Sequence, residues 1–173
     1  MEYQLSQIAA IVGGGFSGTD STVQSVVTDS RSLTCELGTG PMFVAMCGAN
    51  HDSHDFIGEM RARGVRAFLT ERAVEAAPGC GYVVVRNAIE ALQRLASYHR
   101  AQFRGTVVGI TGSNGKTVIK EWIAEELPAG MKCYRSPKSY NSQLGVPLSV
   151  LMLEGDERLA IFEAGISKPG EME

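Results

Sequence analysis

The chain has 173 residues, with 16 Lys and Arg against 19 Asp and Glu, for a formal net charge of −3. That length can bury a core in one large or two small domains, and 44% hydrophobic with 20% charged residues excludes wholesale disorder. The acidic balance disfavours a partner bound through nucleic-acid phosphates, and no apolar run approaches the ~18 residues of a membrane span.

The start, Met1-Glu2-Tyr3-Gln4, lacks the basic flank and apolar run of a signal peptide. The expectation is a cytoplasmic protein with no nucleic-acid partner and no membrane insertion. Cys35, Cys47, Cys80 and Cys133 form no C-x-x-C pair, so they read as small buried or half-buried thiols rather than zinc ligands. Twenty glycines in 173 residues exceed the usual share of ~7%.

In chain order, residues 3–12 predict a short helix, and Gly13-Gly14-Gly15 a turn. Val23–Thr28 and Met42–Met46 read as strands, rich in β-branched or apolar residues without a helical period. Phe56–Arg63 is helical in character and stops at Gly64. Val65–Thr70 and Tyr82–Val85 read as buried strands, with Phe43 and Phe56 as core rings. This alternation predicts an α/β layer arrangement. Residues 88–103 form the clearest helix: Asn87 can cap it, Glu90 follows three residues on, and Ile89, Leu92, Leu95, Ala96 and His99 share one face. All five lysines lie beyond residue 115, which suggests two regions of different character. The predicted boundary is Gly105, giving domains 1–104 and 105–173.

The most specific chemistry lies in the run from Thr106 to Thr117, where an apolar strand enters a glycine loop and then Lys-Thr at the head of a helix. A phosphate cradle requires that order. Gly112 and Gly115 let backbone N–H groups converge on phosphate oxygens around Ser113 and Asn114. Lys116 can reach the outer phosphates, and the Thr117 hydroxyl can ligate Mg²⁺. The pattern is a variant, T-G-x-x-G-K-T, because Ile110 stands where the usual motif has its first glycine. The following helix is expected to bury Ile119, Trp122, Ile123 and Leu127 and to turn Lys120, Glu121 and Glu125 to water. A second metal ligand should end a neighbouring strand, and Leu159–Glu163 delivers a carboxylate in that way.

Thr111–Thr117, Asn141–Leu148, Glu163-Ala164-Gly165 and Gly170-Glu171-Met172 together resemble the central ATPase domain of the Mur ligases, which build the peptidoglycan stem peptide. Ser113 and Lys120-Glu121 are similar to the branch that adds D-alanyl-D-alanine to UDP-N-acetylmuramoyl-tripeptide. Thr28–Arg31, Phe43-Val44-Ala45, Gly48 and Asp52–Phe56 resemble the N-terminal domain of that family, which grips the uridine diphosphate end of the substrate. Ser139–Gln143 is also similar to ligases fused to an alanine racemase. The sequence departs from the family at Val118, where a hydroxyl residue is frequent, and at Ser53, where glycine is common.

The resemblance implies a small N-terminal α/β UDP-substrate domain, followed by the first part of a P-loop-type parallel-sheet ATPase domain in a longer, three-domain ligase. It implies ATP and Mg²⁺ as cofactors, with Lys116 and Glu163 catalytic. It places ATP on Gly112, Ser113, Asn114, Gly115, Lys116, Thr117 and Asn141, and the metal on Thr117 and Glu163. Asn141 has an equally open role, capping the turn that follows it. The UDP-substrate residues would be Ser30, Arg31, Gly48, Asp52 and His54, with Arg31 offering a planar fork to the diphosphate. His54 is open to either a substrate contact or a structural hydrogen bond, and with His51 makes too small a set for a metal. The rival readings are another Mur-type or folylpolyglutamate-type amide ligase and a non-catalytic UDP-sugar or nucleotide-binding module.

Overall fold

The computed structural model describes residues 1–29, 40–48, 52–137 and 140–165. Ser30, Arg31, His51, Ser139 and Gly170–Met172 lie outside them. The chain divides into two compact units, Met1–Leu95 and Ala96–Glu173, and the division falls inside a helix, upstream of Gly105.

In the first unit, β1 (Tyr3–Gln4) leads directly into α1 (Leu5–Val12), whose Leu5, Ile8, Ala9 and Val12 are buried at helical spacing. The glycine-rich stretch after α1 goes beyond a turn: Gly15–Gly18 forms an edge strand, β2, antiparallel to β7 (Gly81–Val84). The strand expected over 23–28 divides into β3 (Thr22–Val23), paired with β1, and β4 (Ser25–Val27). Its pairing is interrupted at Gln24, whose N–H turns aside to the Gly40 carbonyl at 2.8 Å. β4 then joins β5 (Pro41–Ala45) in parallel.

The resulting sheet runs β2-β7-β6-β5-β4, with β6 at Ala67–Thr70 and every pair except β2–β7 parallel. Phe43, Phe68 and Tyr82 pack across adjacent strands; the Phe68 and Tyr82 rings stack with centroids 5.4 Å apart. Ile57 and Met60 of α2 (Ile57–Ala62) cover that face. Phe56 belongs to the 3₁₀ turn before α2 and is 38% exposed, not a core ring.

Helix α3 (Ala88–Gln102) starts as expected, with Asn87 Oδ1 accepting the N–H groups of Ile89 at 2.9 Å and Glu90 at 3.1 Å. It buries Ala88, Ala91, Leu92, Leu95 and Ala96.

In the second unit, β8 (Thr106–Ile110), β10 (Leu159–Glu163) and β9 (Cys133–Arg135) form a parallel sheet with β10 in the centre. Phe103, Leu153, Ala160 and Phe162 make its core with Val107, Tyr134 and Val150. The register sets Glu163 opposite Ile110, so the carboxylate leaves the sheet where the glycine loop begins.

Candidate nucleotide and metal site

The loop 111–115 is exposed and leads into α4 (Lys116–Glu125). Gly112 has φ 140° and Gly115 φ 81°, a backbone that residues with a Cβ rarely adopt. A Cβ built at either would meet nothing within 4 Å, so both glycines serve the turn and the open face above it rather than internal packing. Gly115 caps α4 with no side-chain hydrogen bond, and the first turn holds no acidic residue. The helix therefore presents its first N–H groups and its positive end to the loop face, an arrangement suited to an anion. Lys116 folds back, its Nζ donating to the Gly112 carbonyl at 2.6 Å.

Thr117 Oγ1 donates to Glu163 Oε2 at 3.0 Å. Glu163 is 3% exposed; its N–H donates to Ser136 Oγ at 3.1 Å. Its Oε1 accepts no aligned hydrogen bond, although the Lys120 ammonium stands 2.5 Å away. A buried carboxylate beside a hydroxyl is a set of hard oxygen donors of the kind that suits Mg²⁺.

Lys120 corrects the sequence expectation for α4. It is 1% exposed, whereas Ile119 is 45% and Trp122 64% exposed; Ile123 and Leu127 are half-buried. The helix packs on β8, β9 and β10, and the Lys120 head is tolerated inside because Glu163 balances its charge and the Ser136 carbonyl accepts from Nζ at 2.6 Å. Neither the contact of Ser136 nor the burial of Lys120 follows from the local sequence, which shows only a lysine at i+3 from Thr117, on the same side of the helix.

Asn141 is half-buried, and its backbone carbonyl accepts the Gly165 N–H at 2.7 Å, tying its loop to the chain leaving β10. The turn that follows is closed by Ser142, whose Oγ accepts from Gly145 N–H at 3.0 Å. Ser113 and Asn114 are exposed on the loop.

In the first unit, Gly48, Asp52 and His54 lie beyond the C-terminal ends of β5 and β6, the edge where open α/β sheets take ligands. His54 is 6% exposed and both ring nitrogens are engaged: Nε2 accepts the Glu71 N–H at 3.1 Å and Nδ1 meets Asp52 Oδ1 at 2.5 Å. Of the two roles open to it, this supports the internal hydrogen bond. Glu71 in turn accepts from Cys47 N–H and Ala88 N–H, both at 2.8 Å, and Asp52 pairs with Arg72 at 2.9 Å. Hydrogen bonds from the His54 backbone and ring hold the Asp52 carboxyl below its ordinary range.

Cys47, Asp52 and His54 place ligand atoms within 4.8 Å of one another. They do not suit a metal. Because Nε2 accepts a backbone N–H, the neutral ring carries its proton on Nδ1, the nitrogen facing the other two groups. Cys47 is exposed rather than half-buried, and partial desolvation followed by the Asp52 and Glu71 charges pushes its thiol up, away from the thiolate.

The second unit thus carries an open glycine loop between a parallel sheet and a helix N-terminus, with a hydroxyl and a carboxylate at its mouth. Residues 110–173 match the Mur ligase middle domain. Across 168 residues the chain is 34% identical to the UDP-N-acetylmuramoyl-tripeptide–D-alanyl-D-alanine ligase of Escherichia coli, covering 97% of this chain and 36% of that protein. The ligase of the same name from Bacillus subtilis is 30% identical over 154 residues, covering 88% of this chain and 33% of that protein. Among solved structures, MurF from Acinetobacter baumannii superposes with a TM-score of 0.87 at 27% identity, over 98% of this chain and 37% of that one. MurF ligase from Thermotoga maritima in complex with ADP gives 0.74 at 33% identity, over 87% and 34%. The chain is thus similar to the Mur ligases, with residues 110–173 matching their middle domain, and it spans about a third of the length of the relatives it matches.

Proposed function

We propose that this chain supplies the ATP-binding loop and the UDP-substrate unit of an ATP-dependent amide ligase, one that joins D-alanyl-D-alanine to UDP-N-acetylmuramoyl-tripeptide. The observation that carries it is the Thr117–Glu163 pair at 3.0 Å beside an open glycine loop, in a chain similar throughout to ligases of that name. Residues 105–173 would hold ATP through Gly112, Ser113, Asn114, Gly115, Lys116 and Thr117, with Asn141 alongside. Residues 1–104 hold the UDP end through Ser30, Arg31, Gly48 and Asp52, while His54 fixes the loop that carries Asp52.

The chemistry is the activation of a carboxylate. A carboxylate oxygen of the tripeptide attacks the γ-phosphorus, ADP leaves, and an acyl phosphate forms. The D-alanyl-D-alanine amine then attacks the acyl carbon, loses a proton, and expels phosphate. Two anions meet in the first step, so its barrier is largely electrostatic. Lys116 exchanges its Gly112 carbonyl for a phosphate oxygen and follows the charge as it moves. Thr117 and Glu163 would hold Mg²⁺, which would neutralise charge on the phosphate oxygens. Among the described residues no helix is long and apolar enough to cross a membrane, and the proposed use of ATP supports the expectation of a cytoplasmic reaction.

The test is ligation by the full-length protein with ATP, Mg²⁺, UDP-N-acetylmuramoyl-tripeptide and a panel of amines. Phosphate release and amide product are expected with D-alanyl-D-alanine. Product only with glutamate or a diamino acid would assign another ligase of the family, and absence of ATP binding would sink the reading.

A further inference from the structure

We propose that Lys120 keeps the Glu163 carboxylate closed to free divalent cations, so that metal enters this site together with the nucleotide and not ahead of it. The inference rests on the reading of the loop as an ATP site. Lys120 lies one turn beyond Lys116 on α4 and is buried, a costly place for a charge unless it is paired. Its Nζ meets Glu163 Oε1 at 2.5 Å and donates to the Ser136 carbonyl at 2.6 Å. Ser136 Oγ holds the Glu163 backbone N–H at 3.1 Å, so one residue fixes both the carboxylate and its counter-ion. The other carboxylate oxygen carries the Thr117 hydroxyl.

Each Glu163 oxygen therefore already faces a protein donor or cation, and the Lys120–Glu163 pair has no net charge. Glu121, 3.7 Å from Lys120 Nζ, is itself balanced by Arg135 at 2.6 Å. Lys116 leaves the mouth of the site positive. A divalent cation arriving alone meets a neutralised carboxylate in a positive field. A nucleoside triphosphate brings several negative charges and reverses the sign of that field. A lysine that merely tied α4 to β9 and β10 would have no effect on the order of binding.

The test is Mn²⁺ titration of the full-length protein followed by electron paramagnetic resonance, with and without a non-hydrolysable ATP analogue. Wild type is expected to bind free Mn²⁺ at least tenfold more weakly than in the presence of the analogue, by the estimate that one unit charge at contact distance is worth about a decade or more. Lys120→Met keeps the length of the side chain and removes the charge; it should bind free Mn²⁺ about tenfold more tightly than wild type. Adding Glu163→Gln should abolish that gain. Equal free-metal affinity in wild type and Lys120→Met, or a gain that survives Glu163→Gln, overturns the proposal. Should Lys120→Met fail to fold by circular dichroism, the wild-type arm decides: free Mn²⁺ bound as tightly as with the analogue overturns it. Failure of wild type to bind the analogue would instead strike the ATP reading, and the comparison of free-metal affinities would still stand.

Discussion

Thr117 and Glu163, 46 positions apart in sequence, meet at 3.0 Å where β8 and β10 end side by side. Parallel pairing in register brings them together, since Glu163 sits opposite Ile110 and the loop begins one residue later. Thr117→Val keeps the shape and removes the oxygen. Turnover of the full-length enzyme should fall by about 10²–10³-fold, the range for losing one electrostatic contact to the transition state. Its melting temperature should stay close to wild type. Steady-state rates across a Mg²⁺ series check this, and an unchanged rate would remove Thr117 from the metal set.

Lys116 is the first residue of α4, and its head rests on the loop rather than in the core. Lys116→Ala should therefore leave folding intact and lower the chemical step by about 10²–10³-fold, with a smaller effect on ATP affinity. Single-turnover kinetics separate the two. Near-normal turnover would mean that the loop does not serve the transferring phosphate.

Arg31 lies outside the described residues, and its assignment to the diphosphate rests on the Thr28–Arg31 motif. Arg31→Ala should weaken UDP-substrate binding by about ten- to a hundredfold, the equivalent of roughly 1.5–3 kcal/mol for a charge-assisted hydrogen bond. ATP affinity should not change. Calorimetric titration of both ligands reads this directly, and equal losses for the two would indicate general unfolding.

His99 is half-buried on α3, with Nε2 3.0 Å from the Leu153 carbonyl. Burial lowers its pKa below the ordinary 6.5, only partly opposed by that hydrogen bond. The folded state thus binds the proton less readily than the unfolded chain. Its contribution to stability is present above about pH 6.5 and is lost as pH falls through the folded value. Urea unfolding from pH 7.5 to 5 should show this decline, and His99→Gln should flatten it; an unaltered pH profile in the variant would exclude His99 as its source.

The strands at 42–46, 65–70 and 82–85, the capped start of α3 and the strand–loop–helix around Gly112–Thr117 were legible in the sequence because each rests on local chemistry. Side-chain period, capping residues and glycines at a turn act within a few positions of one another. The Glu163 strand was legible for the same reason, four apolar residues ending in a carboxylate. The tertiary structure alone decided which side of α4 faces inward. Periodicity ranks side chains by their own polarity, and on that scale Lys120 belongs outside and Trp122 inside. A buried ammonium becomes tolerable only when a carboxylate and a carbonyl reach it from β10 and the end of β9, and no local window contains those partners. The division of the 23–28 strand has a similar origin, since Gln24 turns toward a carbonyl at Gly40. His54 follows the same logic: its role depends on a backbone N–H from Glu71, which the Asp52–Phe56 motif does not contain.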